Sequence, residues 1–274
     1  MSEMSDKAKV GWPRQLSQLM GLLVITYALF GISVFFFADR LAFQPPTPGY
    51  NDTDDVLKFT TEDGLQLSAV YLTNPKATYT LLFNHGNGED LGDLQPMLQT
   101  LVEIGFNVFA YDYRGYGTSE GTPNEQDAYK DVAAAYHYLT TQLQIQPEQI
   151  IAYGYSIGGA LAIDLAAHQP IAGLITESTF TKLFRVVFPW PILPFEKYPS
   201  IDKLKQVKCP ILVMHGTTDE VIPFPHGKSL FAAAPAPKRS LWVEGAGHTE
   251  VPWVGGDQYV DTLQEFIQLV DEYQ

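Results

Sequence analysis

A single cysteine, Cys209, stands in the 274-residue chain. An intrachain disulfide needs a second thiol and a thiolate metal cluster needs several, so both are excluded. Cys209 sits in Val207-Lys208-Cys209-Pro210-Ile211-Leu212-Val213-Met214, a strand entry where it reads as a small buried apolar residue. Positive charge is scarce as well: 17 Lys and Arg face 31 Asp and Glu, a formal net charge of -14. Residues 1–40 carry four basic side chains (Lys7, Lys9, Arg14, Arg40) and three acidic ones (Glu3, Asp6, Asp39), which leaves -15 for the rest. A domain so acidic repels a phosphate backbone, and nucleic acid is excluded as a partner. Internal repeats and low-complexity tracts are also absent. The apolar fraction of 46% is ample for a core and does not fit a disordered chain.

One long apolar run is present. Gln15 to Ala38 contains no charged residue, and its 24 residues reach about 36 Å as a helix, more than the ~30 Å of a hydrocarbon core. A cleaved secretory signal is the rival reading, but the run exceeds the usual apolar length of such signals. The small-residue spacing for cleavage also fails, with Phe36 before Ala38 and Arg40 before Ala42. Lys7, Lys9 and Arg14 precede the run and only Arg40 closely follows it, which predicts a cytoplasmic N-terminus and a domain on the periplasmic, luminal or extracellular side. The expected organisation is a cytoplasmic tail over 1–14, a membrane span over 15–38, a proline-stiffened linker over 39–55 and a catalytic domain over 56–274.

Within that domain, strand patterns occur at 56–60, 65–72, 79–83, 107–111, 150–153, 172–176, 211–214 and 240–243. Helical patterns at 94–104, 125–143, 158–167 and 258–270 separate most of them from the third strand onward. This rhythm predicts an α/β fold with a mostly parallel eight-stranded sheet covered by helices on both faces. An aromatic and proline-rich insertion after the sixth strand, about 180–205, interrupts it. Phe184, Phe188 and Trp190 in this insertion are candidate substrate-pocket residues under a short cap; a patch resting on the bilayer and simple core filling are the alternatives.

The chemistry centres on Gly154-Tyr155-Ser156-Ile157-Gly158, a G-x-S-x-G pentapeptide between a strand and a helix. Such a turn presents a serine hydroxyl at its apex, the signature of a nucleophile elbow. A serine hydroxyl alone is a weak nucleophile and needs a general base, itself oriented by a third group. His248, in Gly245-Ala246-Gly247-His248 after the last strand, is the best-placed base among six histidines. Asp219 follows the seventh strand in His215-Gly216-Thr217-Thr218-Asp219 and is the preferred acid, with Glu177 and Glu220 as alternatives. All three candidates fall on loops at the carboxyl edge of a parallel sheet, where open α/β folds place their sites. Backbone amides of Ile157 and of Asn87, in His85-Gly86-Asn87-Gly88, are the candidate oxyanion donors.

Gly86, Gly88 and Gly92 between a strand and a helix also imitate a dinucleotide-binding turn. The spacing misses the fingerprint by one residue, and hydride transfer leaves Ser156, Asp219 and His248 unexplained.

Taken in chain order, the His85–Gly88 loop, Tyr111-Asp112-Tyr113-Arg114-Gly115-Tyr116-Gly117-Thr118-Ser119, the Ser156 pentapeptide, the His215–Asp219 turn and Gly247-His248 make residues 56–272 resemble the α/β-hydrolase superfamily. With the apolar N-terminal run, the chain looks most like the Bem-like, abhydrolase-domain branch of membrane-tethered serine hydrolases. The resemblance implies Ser156 as nucleophile, His248 as base, Asp219 as acid, no metal and no organic cofactor, and a structural duty for Asp112 and Arg114. The expected activity is cleavage of an ester or thioester of a small acyl or lipid-like substrate. An amide or peptide hydrolase and a non-catalytic scaffold that binds a protein partner are the alternatives. The insertion is shorter than the large lids of many lipases, which argues against triglycerides.

Overall fold

In the computed structural model, residues 11–274 are described. Most of the tail expected over 1–14 therefore lies outside the described residues. The chain parts into two compact units after Leu41.

Among the described residues, the first unit is formed by a helix, α1 (Gly11–Ala42). Pro13 falls in its first turn, where a missing N–H costs nothing. Residues Arg14–Ala42 are long and apolar enough to cross a membrane. Leu16, Leu22, Val24, Leu29 and Phe36 are exposed on it, a surface that costs free energy in water and none in hydrocarbon.

The second unit, Ala42–Gln274, starts earlier than the pattern at position 56 suggests. Phe43 is buried, with its ring edge-on to Tyr113, Tyr116 and Tyr198. The Gln44 amide donates to Asn87 Oδ1 (2.6 Å), the Gly49 amide to Asp90 Oδ2 (2.6 Å) and the Tyr50 hydroxyl to Asp112 Oδ2 (2.6 Å). These prolines and aromatics are thus laid onto the domain rather than left as a separate connection.

The sheet consists of β1 (Leu57–Thr60), β2 (Gln66–Leu72), β3 (Thr80–Asn84), β4 (Asn107–Tyr111), β5 (Ile150–Tyr155), β6 (Gly173–Glu177), β7 (Ile211–Gly216) and β8 (Lys238–Val243). Their spatial order is β1-β2-β4-β3-β5-β6-β7-β8. β2 runs antiparallel to β1 and β4, and the other pairings are parallel. The helices that follow are α2 (Leu91–Ile104), α3 (Glu125–Thr141), α4 (Ile157–His168), α5 (Leu183–Val187), α6 (Ser200–Leu204), α7 (Pro225–Ala233) and α8 (Val251–Tyr273).

Successive strand residues point to opposite faces, and two cores result. Leu82, Ala152, Leu174 and Val213 pack with Leu139 of α3 and Leu161 of α4. Their neighbours Leu81, Ile151, Ile175 and Leu212 pack with Leu98 of α2 and Phe266 of α8 on the other face. Strand ends match the sequence pattern to within about two residues at most points. α2 starts at Leu91 because the Asp90 carboxylate caps it, accepting from the Gly92 amide at 2.8 Å. α8 starts at Val251 and bends at Gly256 (φ 48°, ψ -125°); the Gly255-Gly256 pair hides this first turn from a periodicity reading.

Candidate active site

Ser156 joins β5 to α4 with φ 54° and ψ -120°, a conformation that costs on the order of 1–3 kcal/mol. The turn closes so tightly that side chains are barred around it. A Cβ on Gly154 would lie 2.3 Å from the Gly158 carbonyl oxygen, and one on Gly158 would lie 2.1 Å from that of Asn84. Hydrogen bonds hold the strained residue from both sides: its amide donates to Glu177 O (2.9 Å), and its carbonyl accepts from Thr179 Oγ1 (2.6 Å).

The structure brings three of the predicted residues into one chain of hydrogen bonds. Ser156 Oγ lies 3.0 Å from His248 Nε2, and His248 Nδ1 lies 2.8 Å from Asp219 Oδ2. The other Asp219 oxygen accepts from the amides of Val221 (2.9 Å) and Ile222 (2.8 Å). Burial pushes the Asp219 carboxyl up, but hydrogen bonds from His215, His248 and the Ile222 amide outweigh it and hold the group well below the usual carboxylate range. Asp219 is accordingly an anion facing an imidazole that faces a serine.

His215, read from sequence as a packing residue, is fully buried with Nε2 2.8 Å from Ile222 O and 3.3 Å from Asp219 Oδ2. It secures the turn that carries the acid. Its position four residues ahead of Asp219 at a strand end is the only local signal for this, and it is a weak one.

The alternative acids lie elsewhere. Glu220 is exposed, and Glu177 is buried against the Tyr153 hydroxyl, which donates to its Oε2. The other histidines are also accounted for. His226 Nδ1 accepts from Thr181 (3.0 Å). His85 is stacked on Tyr113 with ring centroids 4.1 Å apart, and burial lowers its pKa to about 4. His137 and His168 are exposed on helices.

Of the candidate oxyanion donors, Ile157 is the first residue of α4, where helix geometry leaves N–H groups without intrahelical partners. The approach of Gly158 to the Asn84 and His85 carbonyls sets this turn against the start of the 85–88 loop. There the Gly86 amide is taken by Glu89 Oε1 (2.7 Å). Asn87 is pinned through its side chain, whose Oδ1 accepts from the Gln44 amide and from the Tyr116 hydroxyl (2.9 Å).

Asp112 and Arg114 serve the turn after β4. Asp112 accepts from Tyr50 and from the Leu91 amide (3.0 Å), while the Arg114 guanidinium binds Asp131 and Asp63. Phe184, Phe188 and Trp190 lie in and after α5, in the insertion that follows β6. Phe184 packs edge-on to Phe195, and Phe188 and Trp190 are exposed at 42% and 56%. A cavity beside Tyr155 is lined by residues of β3, the β3–α2 loop, α2, β5, β6 and the start of α8.

A family model described as serine aminopeptidase, S33, matches residues 74–196. Alpha/beta hydrolase domain-containing protein 17B of Homo sapiens is 38% identical over 261 residues, covering 84% of this chain and 90% of that protein. Alpha/beta hydrolase domain-containing protein 17C of Xenopus laevis is 41% identical over 220 residues, covering 79% and 70%. Among solved structures, the Pyrococcus furiosus esterase Pf2001 superposes with a TM-score of 0.69 at 20% identity, covering 82% of this chain and 98% of that one; at that identity the likeness speaks for the fold. By sequence and fold together, this chain belongs to the alpha/beta hydrolase domain-containing protein 17 family, within the α/β-hydrolase superfamily.

Proposed function

We propose that this protein is a membrane-anchored serine hydrolase that cleaves an ester or thioester of an apolar acyl group through an acyl-enzyme. The observation that carries the reading is the Ser156–His248–Asp219 hydrogen-bonded chain at the carboxyl edge of the sheet. His248 takes the proton of Ser156 as Oγ attacks the carbonyl carbon, and Asp219 holds the imidazole and balances its positive charge. The amides of Ile157 and Asn87 receive the developing oxyanion. Collapse expels the alcohol or thiol, which leaves with the proton from His248. A water deprotonated by the same imidazole then attacks the acyl-serine, and the acid departs.

α1 is the anchor, with its N-terminus in the cytoplasm as the flanking charges direct. An apolar acyl substrate suits a serine tethered next to a bilayer and an insertion that exposes Val187, Phe188, Trp190 and Ile192. The serine aminopeptidase description of the matching family model favours amide cleavage as a second reading.

A fluorophosphonate probe on the full-length protein tests the nucleophile: labelling is expected in the wild type and absent in Ser156→Ala. A matched series of ester, thioester and amide of one acyl chain then separates the two bond classes. No labelling together with no turnover across that series would sink the enzyme reading.

A further inference from the structure

A cavity of about 210 Å³ opens between the N-terminal turns of α2 and α8, on the flank of Tyr155. Leu94, Met97, Phe83 and Trp253 give it apolar and aromatic walls, and Glu89, Asp93 and Glu177 line it as carboxyls. Among the described residues that line it there is no Lys or Arg. Glu177 is only 3% exposed. Its Oε2 accepts from the Tyr153 hydroxyl, which in turn lies 2.8 Å from that of Tyr259. Glu89 spends one oxygen on the Gly86 amide.

Carboxyls that share a recess with apolar and aromatic walls are costly to ionise without a cationic partner. Burial first, and then the charge of Glu89, push the Glu177 carboxyl up to about 7, and burial pushes Glu89 up as well. A cation would relieve both. A divalent metal is a poor candidate, because no group of three or more His, Cys, Asp or Glu among the described residues is arranged to hold one, and a small hard ion demands a shell of oxygen donors. An organic ammonium fits better: the carboxyls accept its charge-assisted hydrogen bonds, and the aromatic walls attract it through their faces.

The cavity belongs to the neighbourhood of the serine. Tyr155 directly precedes Ser156, its ring centroid lies 5.3 Å from that of His248, and the charges of Glu89 and His248 act on one another. We propose that this recess is a subsite for an ammonium group carried by the substrate close to its scissile carbonyl. The substrate class narrows accordingly, on the hydrolase reading above, to acyl compounds bearing a primary or quaternary ammonium.

The test is calorimetric titration of the full-length protein in detergent with n-butylammonium and tetramethylammonium, against 1-butanol as the neutral control. At least one ammonium should bind about tenfold or more tightly than butanol. Glu177→Gln should weaken it about tenfold, the loss expected for one charge-assisted hydrogen bond. The better of the two ions identifies a primary or a quaternary group. If Glu177→Gln does not fold, Trp253→Ala carries the test, since that side chain is 59% exposed; ammonium affinity should drop several-fold while butanol affinity stays. The bound ammonium should also slow fluorophosphonate labelling competitively. Equal binding of ammonium and butanol, with labelling intact, overturns the subsite and leaves the hydrolase standing. Ammonium binding lost in Glu177→Gln, with no labelling of Ser156 under any condition, upholds the subsite and removes the hydrolase.

Discussion

Asp219 and Glu177 are buried carboxyls at the ends of neighbouring strands β7 and β6, at 7% and 3% exposure, yet they sit at opposite ends of the carboxylic pKa range. Burial is the leading influence on both and pushes both upward. Around Asp219 it is overcome by His248, His215 and the Val221 and Ile222 amides. Around the Glu177 carboxyl, among the described residues, the Tyr153 hydroxyl is the donor. Donors, more than depth, set the charge of a buried acid. The neighbourhood of Ser156 therefore holds both a fixed anion that can orient a base and an acid near neutrality.

The sharpest way to break this contrast is at its midpoint. Ser156→Ala should lower hydrolysis by a factor on the order of 10⁴–10⁶ and abolish probe labelling, read by steady-state rates and gel fluorescence. Asp219→Asn leaves the shape and removes the charge, and should cost about 10⁴ in kcat by favouring the wrong imidazole tautomer. His215→Asn withdraws one donor from Asp219; kcat should fall about tenfold and the protein should lose about 2 kcal/mol in denaturant titrations.

The smallest effect is the most diagnostic of the two environments. Folded Glu177 keeps its proton up to about 7, while an unfolded glutamate releases it near 4.5. Its contribution to stability is therefore whole below about 4.5 and lost as pH rises toward 7. Asp112, also pushed up to about 7 by burial, acts with the same sign. Asp219, held low, acts oppositely: its contribution is present above the unfolded pKa and lost as pH falls beneath it. Thermal melts of wild type and Glu177→Gln across pH 4.5–7.5 should diverge, the variant lacking part of the downward slope; parallel curves would show that Glu177 is an ordinary carboxylate.

Much of this was legible in the chain, for physical reasons. Strand and helix periods are local, so the eight strands and the crossover helices stand out, and G-x-S-x-G marks a turn so tight that Gly154 and Gly158 have no alternative. Asp219 and His248 were readable because both follow strands of one parallel sheet, whose carboxyl ends meet by construction. The acidic cavity was not, since it draws on the β3–α2 loop, α2, β5, β6 and α8, and no spacing connects those segments. The same holds for His215, whose role rests on a contact across a turn. The pocket role expected of Phe184, Phe188 and Trp190 rests on composition, which reports that aromatics are present and says nothing of where their rings point.

Phe43, Gln44, Gly49 and Tyr50 grip the loops that build the site, and this bears on how the domain can be released from its helix. A protease that cuts ahead of Ala42 sheds a hydrolase with its loops still braced. A cut a few residues later, between Gln44 and Gly49, removes Phe43 and Gln44 and with them the brace on Asn87, and sheds a weakened one. The stretch that looks like a leash in the sequence is part of the domain it precedes.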